Sequence, residues 1–152
     1  MNIGKIRSII VTERVAWVRE MLDGIRGLPL STFEQFTGDP RTPAAAESHL
    51  RRALEALLDL GRHILAKGFA LAPAECKEVA DQLLRVGVLS QHDSELLRKM
   101  AGYRNRLVRF YHEVSQEELY TMCTARLSEV EHVCNAILKW IMEHPEKMDN
   151  AI

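Results

Sequence analysis

The stretch TPAAAESHLRRALEALLDLGRHILAK, residues 42–67, decides the fold. Its apolar residues Ala46, Leu50, Ala53, Leu54, Leu57, Leu58, Ile64 and Leu65 form a stripe at helical spacing. Thr42 before Pro43 reads as a cap and first-turn pair. Gly68 stands where the helix should end.

Working outward, the N-terminal side carries a second helical pattern from Ile3 to about Gly27. Ile6, Ile10, Trp17, Met21, Ile25 and Leu28 are its expected inner face, and Pro29 stops it. Ser31-Thr32-Phe33-Glu34 resembles a capping box on a short helical turn, with Phe33 and Phe36 as buried pegs. Gly38-Asp39-Pro40 reads as a turn. On the C-terminal side, Pro73 starts a helix with Val79, Leu83, Leu84 and Val86 inward, closed at Gly87. Ser90 caps another, which carries Leu96, Leu97 and Met100. Ser115-Gln116-Glu117-Glu118 forms a second capping box, opening a helix that runs to about Glu143 before Pro145. Its expected inner residues are Leu119, Met122, Leu127, Val130, Val133, Ile137, Leu138 and Ile141. No segment has strand periodicity. The expectation is an all-α protein, one domain over residues 1–152, built as an antiparallel bundle of four to five helices with a short disordered tail from about residue 145.

Composition fits that class and narrows the functions. The 152 residues are 47% apolar and 27% charged, with a net charge of −1, so the molecule is no general polycation. Any RNA or phosphate site must be a local basic patch. Cys76, Cys123 and Cys134 are odd in number and lack short paired spacing, which argues against both a disulfide framework and a CxxC metal site. The six histidines are scattered without metal-ligand spacing, and no cofactor motif appears. His63 and His132 sit inside helical patterns near apolar neighbours and read as structural. No signal-peptide core and no run of membrane-spanning length is present, so the expected location is the cytoplasm, away from any membrane.

Chemistry concentrates in residues 100–112, Met100-Ala101-Gly102-Tyr103-Arg104-Asn105-Arg106-Leu107-Val108-Arg109-Phe110-Tyr111-His112. On one regular helix, Asn105, Arg109 and His112 would share a face, and Arg104 and Tyr111 another. Guanidinium groups bind phosphate bidentately, and a neutral imidazole can accept a hydroxyl proton and return it. Arg104, Asn105, Arg109 and His112 are therefore the candidate catalytic set, and Arg104, Arg106 and Arg109 the candidate RNA contacts. That combination suits RNA cleavage, in which the 2′-OH is the nucleophile and no metal is required. The plain alternative is a solvated, carboxylate-paired arginine surface, with Tyr103, Phe110 and Tyr111 as core or interface pieces.

The run from Met100 to Val108, followed by Tyr111, resembles the signature of HepT toxins in the HEPN superfamily. That signature reads Arg-Asn, three residues, His, one residue, Tyr, commonly preceded by Met-Ala-Gly and an aromatic. The similarity spans about Thr42 to Ile141. It implies an HEPN-like helical ribonuclease toxin, acting as a homodimer with paired motifs across a cleft. It also implies an MntA-type nucleotidyltransferase antitoxin that adenylylates the motif tyrosine, which is Tyr111 here. Arg104 and Asn105 take the phosphate-binding and polar roles.

One position departs from the family. Where the signature carries its catalytic histidine, this chain has Arg109. His112 lies three residues on, and Arg106 with His112 satisfies the looser HEPN spacing of Arg, four to six residues, His. The resemblance thus leaves two readings open: an RNA-cleaving toxin subunit, or a catalytically inactive HEPN-derived dimer that docks a nucleotidyltransferase. An unrelated helical adaptor with an arginine patch is the third.

Overall fold

The computed structural model describes residues 4–149. The order is α1 (Ser8–Arg26), α2 (Phe33–Thr37), α3 (Arg41–Phe69), α4 (Cys76–Arg85) and α5 (Gln91–Arg109), then a 3₁₀ turn at Tyr111–Glu113. Next, α6 (Gln116–Thr121) runs through a π-helical turn (Met122–Arg126) into α7 (Leu127–Glu143), and a 3₁₀ turn follows at Pro145–Lys147. The all-α expectation holds: the extended pairing among the described residues is a single bridge, Ile6 to Met148.

α3 is the central rod, touched by α1, α4, α5, α6 and α7. Its expected stripe is buried throughout, and Ala56, Leu60 and Gly61 widen it. Both ends differ from expectation. Asp39, not Thr42, supplies the cap: its carboxylate accepts the Arg41 N–H at 3.0 Å, and its carbonyl accepts the Thr42 N–H. Hydrogen bonds from Arg41 hold the Asp39 carboxyl down at about 2. Thr42 is itself buried. At the far end the helix passes Gly68 and stops at Ala70, whose φ of 55° is left-handed. Gly68 serves packing instead, since a Cβ there would lie 3.1 Å from Ile6 Cδ1.

α1 lies antiparallel to α3: Gly24 meets His49 near one end, and Arg7 meets His63 near the other. Its buried residues are Val11, Val15, Val18, Met21, Leu22 and Ile25. Of the expected face, Ile6, Met21 and Ile25 are buried and Ile10 and Leu28 half-buried, but the valines shift its centre, because valines and isoleucines occur on several sides and two phases fit the pattern. Trp17, expected inside, is 41% exposed. The helix starts at Ser8; Ile3, the expected start, lies outside the described residues, and Ile6 is buried in the bridge.

The remaining boundaries follow local chemistry. Thr32 caps α2 by accepting the Gln35 N–H, one residue later than the expected box. Phe36 is buried and Phe33 only partly, both against Tyr120. α4 begins at Cys76, not Pro73, and Gly87 closes it with a φ of +85° that a side chain disfavours. Ser90 and Ser115 cap α5 and α6 as expected. The π turn interrupts the single final helix that periodicity had implied, and Cys123, Cys134 and Trp140 join its buried face. Burial raises the thiols to about 12 for Cys123 and about 11 for Cys134, which leaves neither a ready nucleophile.

The expected loose tail is in fact docked through residue 149. The Ile6 N–H donates to the Lys147 carbonyl and the Asp149 N–H to the Ile6 carbonyl, each at 2.9 Å. Residues 150–152 lie outside the described residues.

Candidate functional site

The site sits where α5 ends. Leu97, Met100, Ala101, Tyr103 and Leu107 anchor the helix in the core, so the residues between them face outward in turn. Arg109 is the last helical residue. Phe110 leaves helical geometry at φ −132° and ψ 41°, and Tyr111 and His112 belong to the following 3₁₀ turn. The shared faces expected for a continuous helix therefore break: Asn105 and Arg109 remain together, but His112 and Tyr111 turn away with the chain.

Each arginine has a distinct environment. Arg104 is partly buried, with one guanidinium nitrogen 3.6 Å from Glu55 of α3 and another donating to the Asn105 side-chain oxygen at 3.2 Å. Arg51 shares the same Glu55 oxygen at 3.5 Å. Arg106, expected among the RNA contacts, is committed elsewhere. Its guanidinium forks onto both Glu118 oxygens, one at 2.8 Å, and donates to the Glu113 carbonyl at 3.2 Å. The Glu118 hydrogen bonds hold the guanidinium proton more tightly than usual. Arg106 thus latches α6 and the 110–115 connection to α5. Glu118 serves this latch, while the Ser115 hydroxyl alone makes the helix cap.

Arg109, by contrast, forms no salt bridge among the described residues. It stands in an exposed group with Val108, Phe110, Tyr111 and His112. Tyr111 is 66% exposed, and its ring meets that of His112 edge-on at 5.9 Å. The Arg109 guanidinium amid these apolar and aromatic groups forms a surface able to meet a phosphodiester.

Tyr103 faces the other way. Its ring is buried under the Arg106 guanidinium, 5.9 Å above the centroid. Among the described residues its hydroxyl has no hydrogen-bond partner, and desolvation, reinforced by Glu118, pushes the phenol well above its ordinary value. A 340 Å³ cleft beside the π turn runs along this face, between Met100 and Val130. Of the two histidines read as structural, His63 accepts the Arg7 N–H at 2.9 Å, and His132 meets Asp93 at 2.8 Å.

Sequence reasoning missed Glu55 and Glu118. Glu118 lies twelve residues from Arg106, and Glu55 belongs to a different helix from Arg104. No local spacing signals either contact.

The helical bundle, strand-free among the described residues, has the architecture of solved HEPN toxins. The chain superposes on the toxin of a toxin–antitoxin complex solved with AMP-PNP at a TM-score of 0.76, with 22% identity over 84% of this chain and 97% of that one. The tri-AMPylated Shewanella oneidensis HEPN toxin in complex with MNT antitoxin matches at 0.77, with 22% identity over 86% and 97%. YutE from Bacillus subtilis, a cytosolic protein of unknown function, matches at 0.75, with 17% identity over 93% of each chain. No curated protein matches the chain. A family model described as ribonuclease HepT-like matches residues 12–137, and the chain belongs to that family of the HEPN superfamily. Among the described residues no helix is long and apolar enough to cross a membrane.

Proposed function

We propose that this chain is the toxin subunit of a HepT/MntA-type system: a homodimeric, metal-independent endoribonuclease held in check by adenylylation of Tyr111. The carrying observation is the end of α5, which leaves Arg109, Tyr111 and His112 in solvent just beyond the braced Arg104–Asn105 pair. Complexes of HEPN toxins with MNT-type antitoxins among the structural neighbours support the partner.

In the proposed reaction a base removes the 2′-OH proton, the 2′ oxygen attacks the adjacent phosphorus, and the 5′ oxygen leaves with a proton. A 2′,3′-cyclic phosphate remains. Arg104 and Arg109 would bind the phosphate, with Asn105 fixing the Arg104 fork. Arg106 would act through the latch rather than by contact. Arginine stays protonated at every working pH, so Arg109 can clamp phosphate but cannot take the 2′-OH proton. His112 is the group nearby able to do so, from a 3₁₀ turn rather than from the helix. Loss of a base at position 109 costs roughly 10²–10⁴-fold in rate. The unaltered chain is therefore expected to bind RNA and cleave it slowly, while Arg109→His restores cleavage in EDTA and toxicity in cells. Robust cleavage by the unaltered chain that His112→Ala abolishes, with no gain from Arg109→His, would make His112 the base and refute the role given to position 109.

Arg109 also favours a second reading, a catalytically inactive dimer that docks its nucleotidyltransferase. That protein would co-purify with its partner and cleave nothing, even as Arg109→His.

A further inference from the structure

Trp17 faces a groove between α1 and α3 that neither the motif nor its latch explains. The groove encloses about 240 Å³ and is lined by Arg14, Trp17, Arg52, Glu55, Ala56 and Asp59. Arg14 and Trp17 lie three apart on α1, while Arg52, Glu55, Ala56 and Asp59 follow helical spacing on α3. Its two carboxylates are already countered by arginines outside the lining. Glu55 is shared by Arg51 at 3.5 Å and Arg104 at 3.6 Å, and Asp59 lies 3.8 Å from Arg62. Arg14 and Arg52 form no salt bridge among the described residues. Two guanidinium groups without an ion-pair partner among the described residues thus line the groove with an exposed indole.

We propose that this groove is a single-stranded RNA subsite: Trp17 stacks on an unpaired base while Arg14 and Arg52 hold the flanking phosphates. The inference rests on the RNA-cleaving reading above and extends its site. Continuity supports it, because Glu55 is at once a wall of the groove and the anchor of Arg104. A strand whose scissile phosphate lies at Arg104 and Arg109 would pass from the motif across α3 to α1. An aromatic face beside a cationic track is the general solution for unpaired nucleic acid, since every base has a π face. A duplex hides its bases and leaves Trp17 without a partner. The subsite therefore selects single strands, such as loops and tails, over helices.

The two tryptophans make the test direct. Trp140 is buried and stacked on His144 at 4.3 Å, so added ligand reaches Trp17 preferentially. A short oligoribonucleotide with a 2′-deoxy sugar at every position that could be cut is titrated into the full chain, and tryptophan fluorescence and anisotropy of a labelled oligomer are followed together. Single-stranded ligand is expected to quench Trp17, and Trp17→Ala to weaken binding by on the order of tenfold or more. Trp17→Phe should retain most of the affinity. Arg14→Gln and Arg52→Gln should each reduce the slope of log affinity against log salt by about 0.7, one phosphate apiece. All three sites are on the surface, and thermal melting checks that the variants stay folded. Binding that depends on Arg104 but is indifferent to Trp17→Ala would overturn the subsite and leave the ribonuclease reading standing. Absence of binding by the unaltered chain would overturn both. Equal affinity for a duplex, or a change of oligomeric state in Trp17→Ala seen by sedimentation, would also overturn it, the latter making the groove a protein interface.

Discussion

Arg104, Arg106 and Arg109 lie within a single run of six residues, yet the fold gives each guanidinium a different task. Arg104 is braced by Glu55 and Asn105, Arg106 is locked by Glu118 and Glu113, and Arg109 remains open to solvent. Substituting Arg106 would therefore loosen the turn that carries Tyr111 and His112, whereas substituting Arg109 would break no ion pair among the described residues and would alter the binding and chemistry proposed for the surface. Tyr111 is the group in this cluster best placed for modification: it is exposed, and no hydrogen bond holds its hydroxyl among the described residues. An AMP group added there would place phosphate charge and bulk beside Arg109, where substrate phosphate is proposed to lie. Incubation with an MntA-type nucleotidyltransferase, ATP and Mg²⁺ is expected to add AMP to the unaltered chain and not to Tyr111→Phe, as read by intact mass. Equal labelling of the two proteins would remove Tyr111 as the acceptor.

At the scale of helices, close approach is set by where glycines fall on α3 and α1. Gly61 faces α4, where a Cβ would lie 2.7 Å from Val79 Cγ1 and 3.1 Å from Leu83 Cδ1. Valine is stiff at its first side-chain torsion and is fully buried here, so it has little room to give. Helix propensity alone would make Gly61→Ala stabilising by about 1 kcal/mol. Overpacking of a tight core costs about 1–3 kcal/mol, which outweighs it. Gly102 on α5 offers the contrast, since its added Cβ would meet only the flexible end of Lys77 at 3.3 Å. Gly61→Ala is expected to lower the melting temperature and Gly102→Ala to leave it unchanged or raise it. A stabilised Gly61→Ala would show that α3 and α4 are not packed as closely as described.

Over the whole molecule, the first and last described segments hold one another. α1 has no side-chain cap of its own at Arg7. Asp149 instead accepts the Ser8 N–H at 3.1 Å, placing a carboxylate where the helix N-terminus favours negative charge. The Arg7 N–H is taken by His63 of α3, which can accept it only while that ring nitrogen is unprotonated. Burial, then Lys67, Arg14 and Arg7, depress the His63 pKa below its ordinary 6.5, with Asp149 opposing them. The unfolded chain therefore binds a proton near pH 6 that the folded chain resists. This contribution to stability is complete above about pH 6.5 and is lost as the pH falls toward the depressed folded value. Denaturant unfolding of His63→Gln is expected to show a shallower loss of stability between pH 7 and pH 5 than the unaltered chain. Parallel pH profiles would refute the assignment.

Local residue chemistry by itself determined the helical class, the central rod at residues 42–67 and the caps at Ser90 and Ser115, while the family was legible through resemblance to the HepT signature. Those features act over one or two turns, so spacing and capping residues carry them. Tertiary structure alone decided the phase of α1, because its β-branched residues satisfy two faces and only packing against α3 selects one. Packing also turned Trp17 outward, docked the C-terminal segment on Ile6, and separated His112 from the face of Asn105. The division among the three arginines was equally hidden, since Glu55 and Glu118 reach them through space. Ion-pair partners on other helices leave no trace in local spacing, and burial depends on which neighbours arrive.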